Sequence, residues 1–400
     1  MLKFIRSEWV CPQLLEEINV RDKIISRIDD NADKIKDLCL WIYEHPEVSA
    51  QEHGAARKIS AFMRERGFSV EEQLCGMETA FVAVKKNGAG PKISFIAEYD
   101  ALPGSGHSCG HHLITGMSVG AAIGLAAALE SFPGTVALFG TPGEETGYGK
   151  PFLIERGAFD GVDAAMMIHP HALTSVCPEI ITVGGIDFSF TGRAAHAGAT
   201  PYRGVNALDA VVLLYNNVNA LRQQLKDGTR IHGIILEAGD VANTIPDKGK
   251  VRLQFRAKEL DYFEEVVAKV VRCAKAAALA TGCGLAYEHC EPTCFGMSSN
   301  KRLAQLFKEQ LDSFGIEENA TQVMLGSSDI GNLSQILPSL HPLLKMTENG
   351  EELHTGDFLR ASVKPFALER IALGAKILAL TGLTLLESPE LCEQLKAGTV

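Results

Sequence analysis

Short apolar runs alternate with helical segments through the first half of the chain, and this alternation most narrows what the chain can fold into. Runs at 79–84, 93–97, 135–140 and 164–168 read as strands, and an Ala-rich stretch at 113–129 sits among them. Near-continuous apolar strands are buried on both faces. Strands joined through helices therefore predict an α/β class fold, a mostly parallel sheet flanked by helices. Upstream, 22–43 carries Ile24, Ile28, Ile35 and Leu38 among charges, and 55–66 carries Ala56, Ile59, Phe62 and Met63 before Gly67. Both read as amphipathic helices, the second with a glycine stop.

The rhythm changes after Pro170. Alternation at 186–190, a helix at 206–221, strands at 231–236 and 251–255, a helix at 260–281 closed by Gly282, and a strand at 285–288 follow in turn. That β-α-β-β-α-β order predicts two helices on one antiparallel sheet. A chain of 400 residues exceeds what one core usually organises. The expected division is an outer domain from 20–183 and 296–386, with an α+β two-layer domain of 184–295 inserted in it. Helices at 301–314 and 363–380 flank a glycine-containing loop at 326–331, and the residues beyond 386 form a final helix or a frayed end.

A net charge of −11 without clustered Lys or Arg gives no footprint for nucleic acid or anionic lipid. Residues 1–10 include Lys3, Arg6 and Glu8 and hold no secretory apolar core. The longest apolar run, 121–129, is interrupted by Gly124 and followed by Glu130, short of a membrane span. A cytoplasmic protein without nucleic-acid or membrane partners is expected. The ten cysteines show no regular CxxC spacing, so they read as free thiols or single ligands, nine of them small buried hydrophobes. Cys109 is set apart by its neighbours.

Open α/β sheets place their sites beyond the carboxyl ends of the strands. After the run at 93–97 comes Glu98-Tyr99-Asp100-Ala101-Leu102-Pro103, then Gly106-His107-Ser108-Cys109-Gly110-His111-His112. A Cys and a His one glycine apart can face one ion, because glycine lets the backbone bend closely around it. Three histidines and a cysteine in six residues after a strand are poorly explained as core filling. After 135–140 comes Thr141-Pro142-Gly143-Glu144-Glu145, where adjacent carboxylates point different ways and one can bind a metal while the other holds water. Glu-Glu pairs are also common on solvated surfaces. His169 ends the run at 164–168, and His354 lies in Glu351-Glu352-Leu353-His354-Thr355-Gly356; alone, each reads as easily as a structural or exposed loop histidine.

Over residues 30–385 the chain resembles metallopeptidases of the aminoacylase and carboxypeptidase G type. The nearest branch holds aminobenzoyl-glutamate hydrolases, auxin-conjugate amidohydrolases and the mammalian β-alanyl dipeptidase. The resemblance is carried by 99–103, Cys109-Gly110-His111, Gly143-Glu144-Glu145, Ile168-His169-Pro170, 192–197, 206–210, 243–247 and His354-Thr355. It implies metal ligands Cys109, His111, Glu145, His169 and His354, with the Cys109 thiolate bridging two divalent ions, Zn²⁺ or Mn²⁺. It implies Glu144 as general base and Asp100 as a carboxylate orienting a ligand. The domain of 184–295 becomes a lid and dimerisation domain, with His196 stabilising the oxyanion in its own or a neighbouring subunit's site, and a homodimer is implied. Arg256 and Asn243 match substrate-contacting positions, although an exposed salt bridge explains Arg256 nearly as well. One departure stands out: His112 occupies a place where the branch usually has Asn or Asp, and it is expected to contact substrate or to alter how His111 is held.

The reaction these readings predict is hydrolysis of the amide bond of an N-acyl or N-aroyl amino acid or small dipeptide, a small-molecule substrate bearing a carboxylate. Hydrolysis of another C–N bond, such as an aromatic amine, is the alternative within the same chemistry. A silent metal-binding relative need not keep Glu144, and a cysteine hydrolase built on Cys109 and His111 has no need of Glu144-Glu145 or three further histidines.

Overall fold

The structure, a computed structural model, describes residues 12–319 and 323–398. Residues 1–10, read above for a leader, and Cys11 lie outside the described residues.

Six strands form the larger sheet, in the order Ser69–Glu72, Phe81–Asn87, Gly134–Gly140, Lys92–Ala97, Ala164–Met166 and Ser339–Leu340. The last four run parallel, and the first two form an antiparallel hairpin along one edge. Period-2 alternation explains why its central strands are apolar throughout. In Lys92–Ala97, Ile93, Phe95 and Ala97 enter the main core while Ile96 enters a second cluster on the other face with Ala137, Phe139 and Leu153. The parallel arrangement sends the carboxyl ends of the strands at Ala97, Gly140, Met166 and Leu340 to one edge. The fold is thus mixed α/β, with a mostly parallel sheet.

The helix His111–Leu125 crosses the main core with every residue buried. Its glycines at 116, 120 and 124 are required by close approach: a Cβ at Gly116 would lie 2.3 Å from Cys39 Sγ, and one at Gly120 2.7 Å from Ala375 Cβ. Continued to Glu130, this segment is long and apolar enough to cross a membrane, contrary to the short apolar run read from sequence, yet 94% of its most apolar 18-residue stretch is buried inside the protein. It is the core helix, held by Pro365–Glu387 and Ala32–Glu44.

A four-stranded antiparallel sheet, ordered Gly284–His289, Thr182–Thr191, Lys248–Ala257 and Arg230–Glu237, has its own apolar cluster beneath the helices Ala207–Leu221 and Leu260–Thr281. Along the chain the order is β-α-β-β-α-β. Asn206 caps the first of these helices by accepting from the Leu208 amide, and Gly282 (φ 76°) ends the second. Two expectations change, and a third, a final helix or a frayed end after 386, resolves to the helix. The helix read at 22–43 is two helices, Pro12–Asp29 and Ala32–Glu44, because the polar Asp30-Asn31 pair breaks the run. The segment after 386 is a helix, Pro389–Ala397, capped by Ser388. The nine described cysteines are free, but Cys177 is exposed and Cys75, Cys273 and Cys290 are only partly buried, so the buried-hydrophobe reading holds for Cys39, Cys283, Cys294 and Cys392.

Candidate metal centre and active site

Each parallel strand delivers its polar cargo at the same edge. Lys92–Ala97 ends in Glu98-Tyr99-Asp100, and Gly134–Gly140 ends in the turn carrying Glu144 and Glu145. The short strands Ala164–Met166 and His169–His171 bring in His169. Between Asp100 and the core helix the chain turns through Gly110 (φ 85°), a left-handed conformation in which a Cβ would strike Pro170 Cγ at 2.6 Å and Phe358 at 3.1 Å. Glycine there lets Cys109 and His111 face one centre.

All five sequence-predicted ligands converge. Cys109, His111 and His169 have donor atoms within 4.8 Å of one another, as do Cys109, Glu145 and His354, so Cys109 belongs to both groups. Its Sγ lies 3.2 Å from His354 Nε2 and 3.6 Å from His169 Nε2. Donors on one tetrahedral zinc ion stand roughly 3.4 Å apart, given bonds of about 2.1 Å. His354 is the most exposed of the five and adopts a left-handed backbone (φ 63°), with its amide bonded to the Ser108 carbonyl at 2.9 Å. A non-glycine residue held this way is uncommon, and such strain concentrates at functional sites.

Hydrogen bonds behind the ligands fix which nitrogen faces inward. His169 Nδ1 donates to the Pro170 carbonyl at 2.8 Å, leaving Nε2 toward Cys109. His111 Nδ1 meets Asp100 Oδ1 at 2.9 Å, while Asp100 Oδ2 accepts from the Glu145 amide and from Ser49 Oγ, both at 2.9 Å. Asp100 therefore ties His111 and Glu145, two of the expected ligands, together, an arrangement that suits a metal-binding histidine. Burial would raise the Asp100 carboxyl, but the His111 charge and these hydrogen bonds hold it below its ordinary value. Burial, with His341 and His111 nearby, keeps His169 neutral, as a metal ligand must be.

Negative charge accumulates around this centre. Burial and then Glu98 push the Glu144 carboxyl well above the usual range, with Asp329 and Glu145 adding to the effect. Lys150, fully buried, donates to Glu98 Oε1 and Asp329 Oδ1, each at 2.5 Å; burial works against its charge, but the two carboxylates hold its ammonium protonated. Among the described residues, the buried atoms His111 Nε2 and Glu145 Oε1 have no hydrogen-bond partner. Soft and hard donors, orphaned buried lone pairs and surplus carboxylates together fit divalent cations.

Glu144, Glu145 and His354 open onto a cleft of about 370 Å³ whose far wall comes from the four-stranded sheet, with Arg256, Gln254 and Glu291. Arg256 donates to Ser327 Oγ at 3.4 Å, and Gln254 donates to Glu291 at 2.8 Å. Asp100, Glu144, Arg256 and all five ligands are thus brought together.

Three expected residues are not. His112 is fully buried, with its ring 5.3 Å from Tyr43 and 5.4 Å from His107, and it does not line the cleft. One residue past His111 on a helix, it is rotated about 100° away from its neighbour, so it bears on packing behind His111 and not on substrate in this cleft. His196 and Asn243 are exposed and adjacent, with the Ala197 amide donating to the Asn243 carbonyl at 2.9 Å. They sit beyond Thr191, while the cleft touches Val183 of the same strand. Eight residues of strand separate the two ends by roughly 26 Å. Sequence reading also passed over Lys150, Asp329 and Glu52. Lysine burial leaves no mark in a sequence, although the glycines around Asp329 did mark its loop.

A mixed α/β fold with clustered Cys, His and carboxylate donors at its strand ends defines a metallohydrolase. The profile of peptidase family M20/M25/M40 matches residues 94–379. The chain is 36% identical over 392 residues to the Xaa-Arg dipeptidase of Mus musculus, covering 94% of this chain and 90% of that one. It is 31% identical over 313 residues to a p-aminobenzoyl-glutamate hydrolase chain of Escherichia coli, covering 73% and 64%. A dinuclear metal-binding peptidase of the M20 family from Bacillus subtilis has the same fold, with a TM-score of 0.71 at 19% identity, covering 90% of this chain and 99% of that one. This chain belongs to peptidase family M20/M25/M40 and is a metal-dependent peptidase or amidohydrolase.

Proposed function

We propose that the protein hydrolyses the amide bond of a dipeptide or N-acyl amino acid with a free carboxylate, using two divalent ions, zinc or manganese. The observation that carries this reading is the convergence of two donor groups sharing Cys109 with Glu144, in a cleft that also holds Arg256. When bound, the ions supply a polarised carbonyl and a water of lowered pKa. Glu144, at the mouth of the donor cluster, takes the proton of the attacking water and passes it to the leaving nitrogen. Such transfer contributes roughly a hundred- to ten-thousandfold. Asp100 keeps the His111 imidazole and the Glu145 backbone in register. Arg256 pairs with the substrate carboxylate through its planar fork.

The named relatives act on peptides ending in arginine and on aminobenzoyl-glutamate, which share a carboxylate beside the scissile amide. Glu291, on the same wall as Arg256, favours a basic leaving residue over an acidic one. Residues 184–295 act as a lid in this reading, and His196 and Asn243 serve the cleft of a second copy. The strand Arg230–Glu237 supports that pairing: it is a sheet edge, and its Ile234 and Ile235 are 59% and 47% exposed.

The deciding experiment assays metal-stripped protein, with zinc or manganese restored, on dipeptides ending in Arg, Lys or Glu, on N-acyl amino acids and on aminobenzoyl-glutamate. Metal-restored cleavage favouring the basic dipeptides supports the reading. Full activity in chelator overturns it, and a preference for the acidic leaving group removes Glu291 from the recognition. His196→Ala is expected to lower turnover far more than substrate affinity, and an effect on affinity alone reassigns it to binding.

A further inference from the structure

Glu98 lies just past the end of Lys92–Ala97, is fully buried, and has no part in the steps above. Its two oxygens are treated differently. Oε1 accepts from the Lys150 ammonium at 2.5 Å, whereas Oε2 has no hydrogen-bond partner among the described residues. That second oxygen lies 3.7 Å from His111 Nε2, another buried atom without a hydrogen-bond partner among the described residues. The same nitrogen stands 3.9 Å from Glu144 Oε2 and 3.8 Å from Glu145 Oε1. Glu98, His111 and Glu144 form a donor group of their own within 4.8 Å.

We infer that Glu98 is itself a metal donor, placing an oxygen on the ion that His111 holds. This inference rests on the metal-dependent reading of the same centre. A counter-ion for Lys150 needs one oxygen and gains nothing from aiming a bare second one into a group of carboxylates. Glu98 Oε2 and Glu145 Oε1, at 3.7 and 3.8 Å from one nitrogen, are spaced as donors that share a cation, with Glu144 beside them as the base. Lys150 completes the design. Bonded also to Asp329, its ammonium holds Glu98 Oε1 and locks the carboxylate rotation, leaving Oε2 toward His111.

Of the two donor groups that share Cys109, that of Glu145 and His354 holds a carboxylate of its own, whereas that of His111 and His169 receives carboxylate oxygen from Glu98. A hard donor shifts preference toward manganese, so Glu98 raises the affinity of the His111 position for Mn²⁺ more than for Zn²⁺.

Calorimetric titration of metal-free wild type and Glu98→Gln with Mn²⁺ and with Zn²⁺, alongside elemental counts after dialysis, tests this. The wild type is expected to take two ions. The variant is expected to keep one at wild-type affinity and to bind the other at least 10- to 100-fold more weakly, with the larger loss for Mn²⁺. Two wild-type affinities in a folded variant, judged by the melting of its metal-free form, overturn the inference and leave Glu98 as the counter-ion of Lys150. Should Glu98→Gln fail to fold, anomalous scattering from wild-type crystals soaked in Mn²⁺ decides: an ion within about 2.3 Å of Glu98 Oε2 supports the inference, and none within about 3 Å overturns it. A wild type that binds neither ion removes the two-metal reading and this inference together, and is distinguished from failure of the inference alone by the wild-type isotherm.

Discussion

Replacing Gly110 by alanine isolates how much of the metal centre depends on one backbone turn. The residue sits at φ 85°, where an L side chain costs about 1–2 kcal/mol. Its Cβ would also lie 2.6 Å from Pro170 Cγ and 3.1 Å from Phe358. Pro170 is fixed by its position next to His169, and the buried Phe358 is held by the core, so neither can withdraw cheaply; overpacking of this kind costs about 1–3 kcal/mol. Together these give a loss of about 2–5 kcal/mol, or roughly 2–6 °C in the melting midpoint of the metal-free protein, at about 2.1 cal/mol/K of unfolding entropy per residue over 400 residues. Gly104→Ala is the control, because Gly104 shares the positive φ of 72° but would meet nothing within 4 Å. It is expected to cost only the conformational part and to keep its metal. Gly110→Ala is expected to lose metal as well as stability, since the same displacement moves Cys109 and His111. A Gly110→Ala protein that melts like the Gly104→Ala control and retains full metal content would refute the argument that packing against Pro170 sets the ligand geometry.

Glu144→Ala is expected to lower turnover by roughly a hundred- to ten-thousandfold with metal content intact, whereas Glu145→Ala loses metal on elemental analysis; near-normal rates in Glu144→Ala remove it as the base. Burial and the nearby Asp100 raise Glu52 from its ordinary 4.5 to about 7. The native state then binds more protons than the unfolded chain between those values, so the metal-free protein loses stability as pH rises from 4.5 to 7, by about 3 kcal/mol at about 1.4 kcal/mol per pH unit. Glu52→Gln keeps an oxygen for the Ala50 and Gly143 amides, so it is expected to be more stable than wild type in denaturant at pH 8 and equal to it at pH 4; an equal effect at both refutes the assignment. Arg256→Ala is expected to raise KM roughly 10- to 100-fold with kcat nearly kept, because lost charge-assisted hydrogen bonds cost about 1.5–3 kcal/mol; an unchanged KM for carboxylate-bearing substrates makes Arg256 a partner of Ser327 alone.

The alternation of strands and helices and the inner donors were legible in the sequence alone. Strand alternation and the apolar runs are local properties, and the Cys109-Gly110-His111 and Glu144-Glu145 clusters lie where chain order alone puts them at strand ends. His169 and His354 were legible only through resemblance to a family, since one histidine at a strand end or in a loop carries no signal. What tertiary structure decided is which groups share a charge environment. Lys150 lies 52 residues from Glu98 and 179 from Asp329 along the chain, and only the closed sheet edge places its ammonium between the two carboxylates beside the ligands. It also decided what sequence neighbours do not share: His112 turns into the core one residue from the candidate ligand His111, and His196 stands beyond the far end of a strand whose other end lines the cleft. The physical reason is that side-chain direction follows from helix and strand geometry over one or two residues, whereas burial and charge pairing arise from contacts that no local pattern encodes.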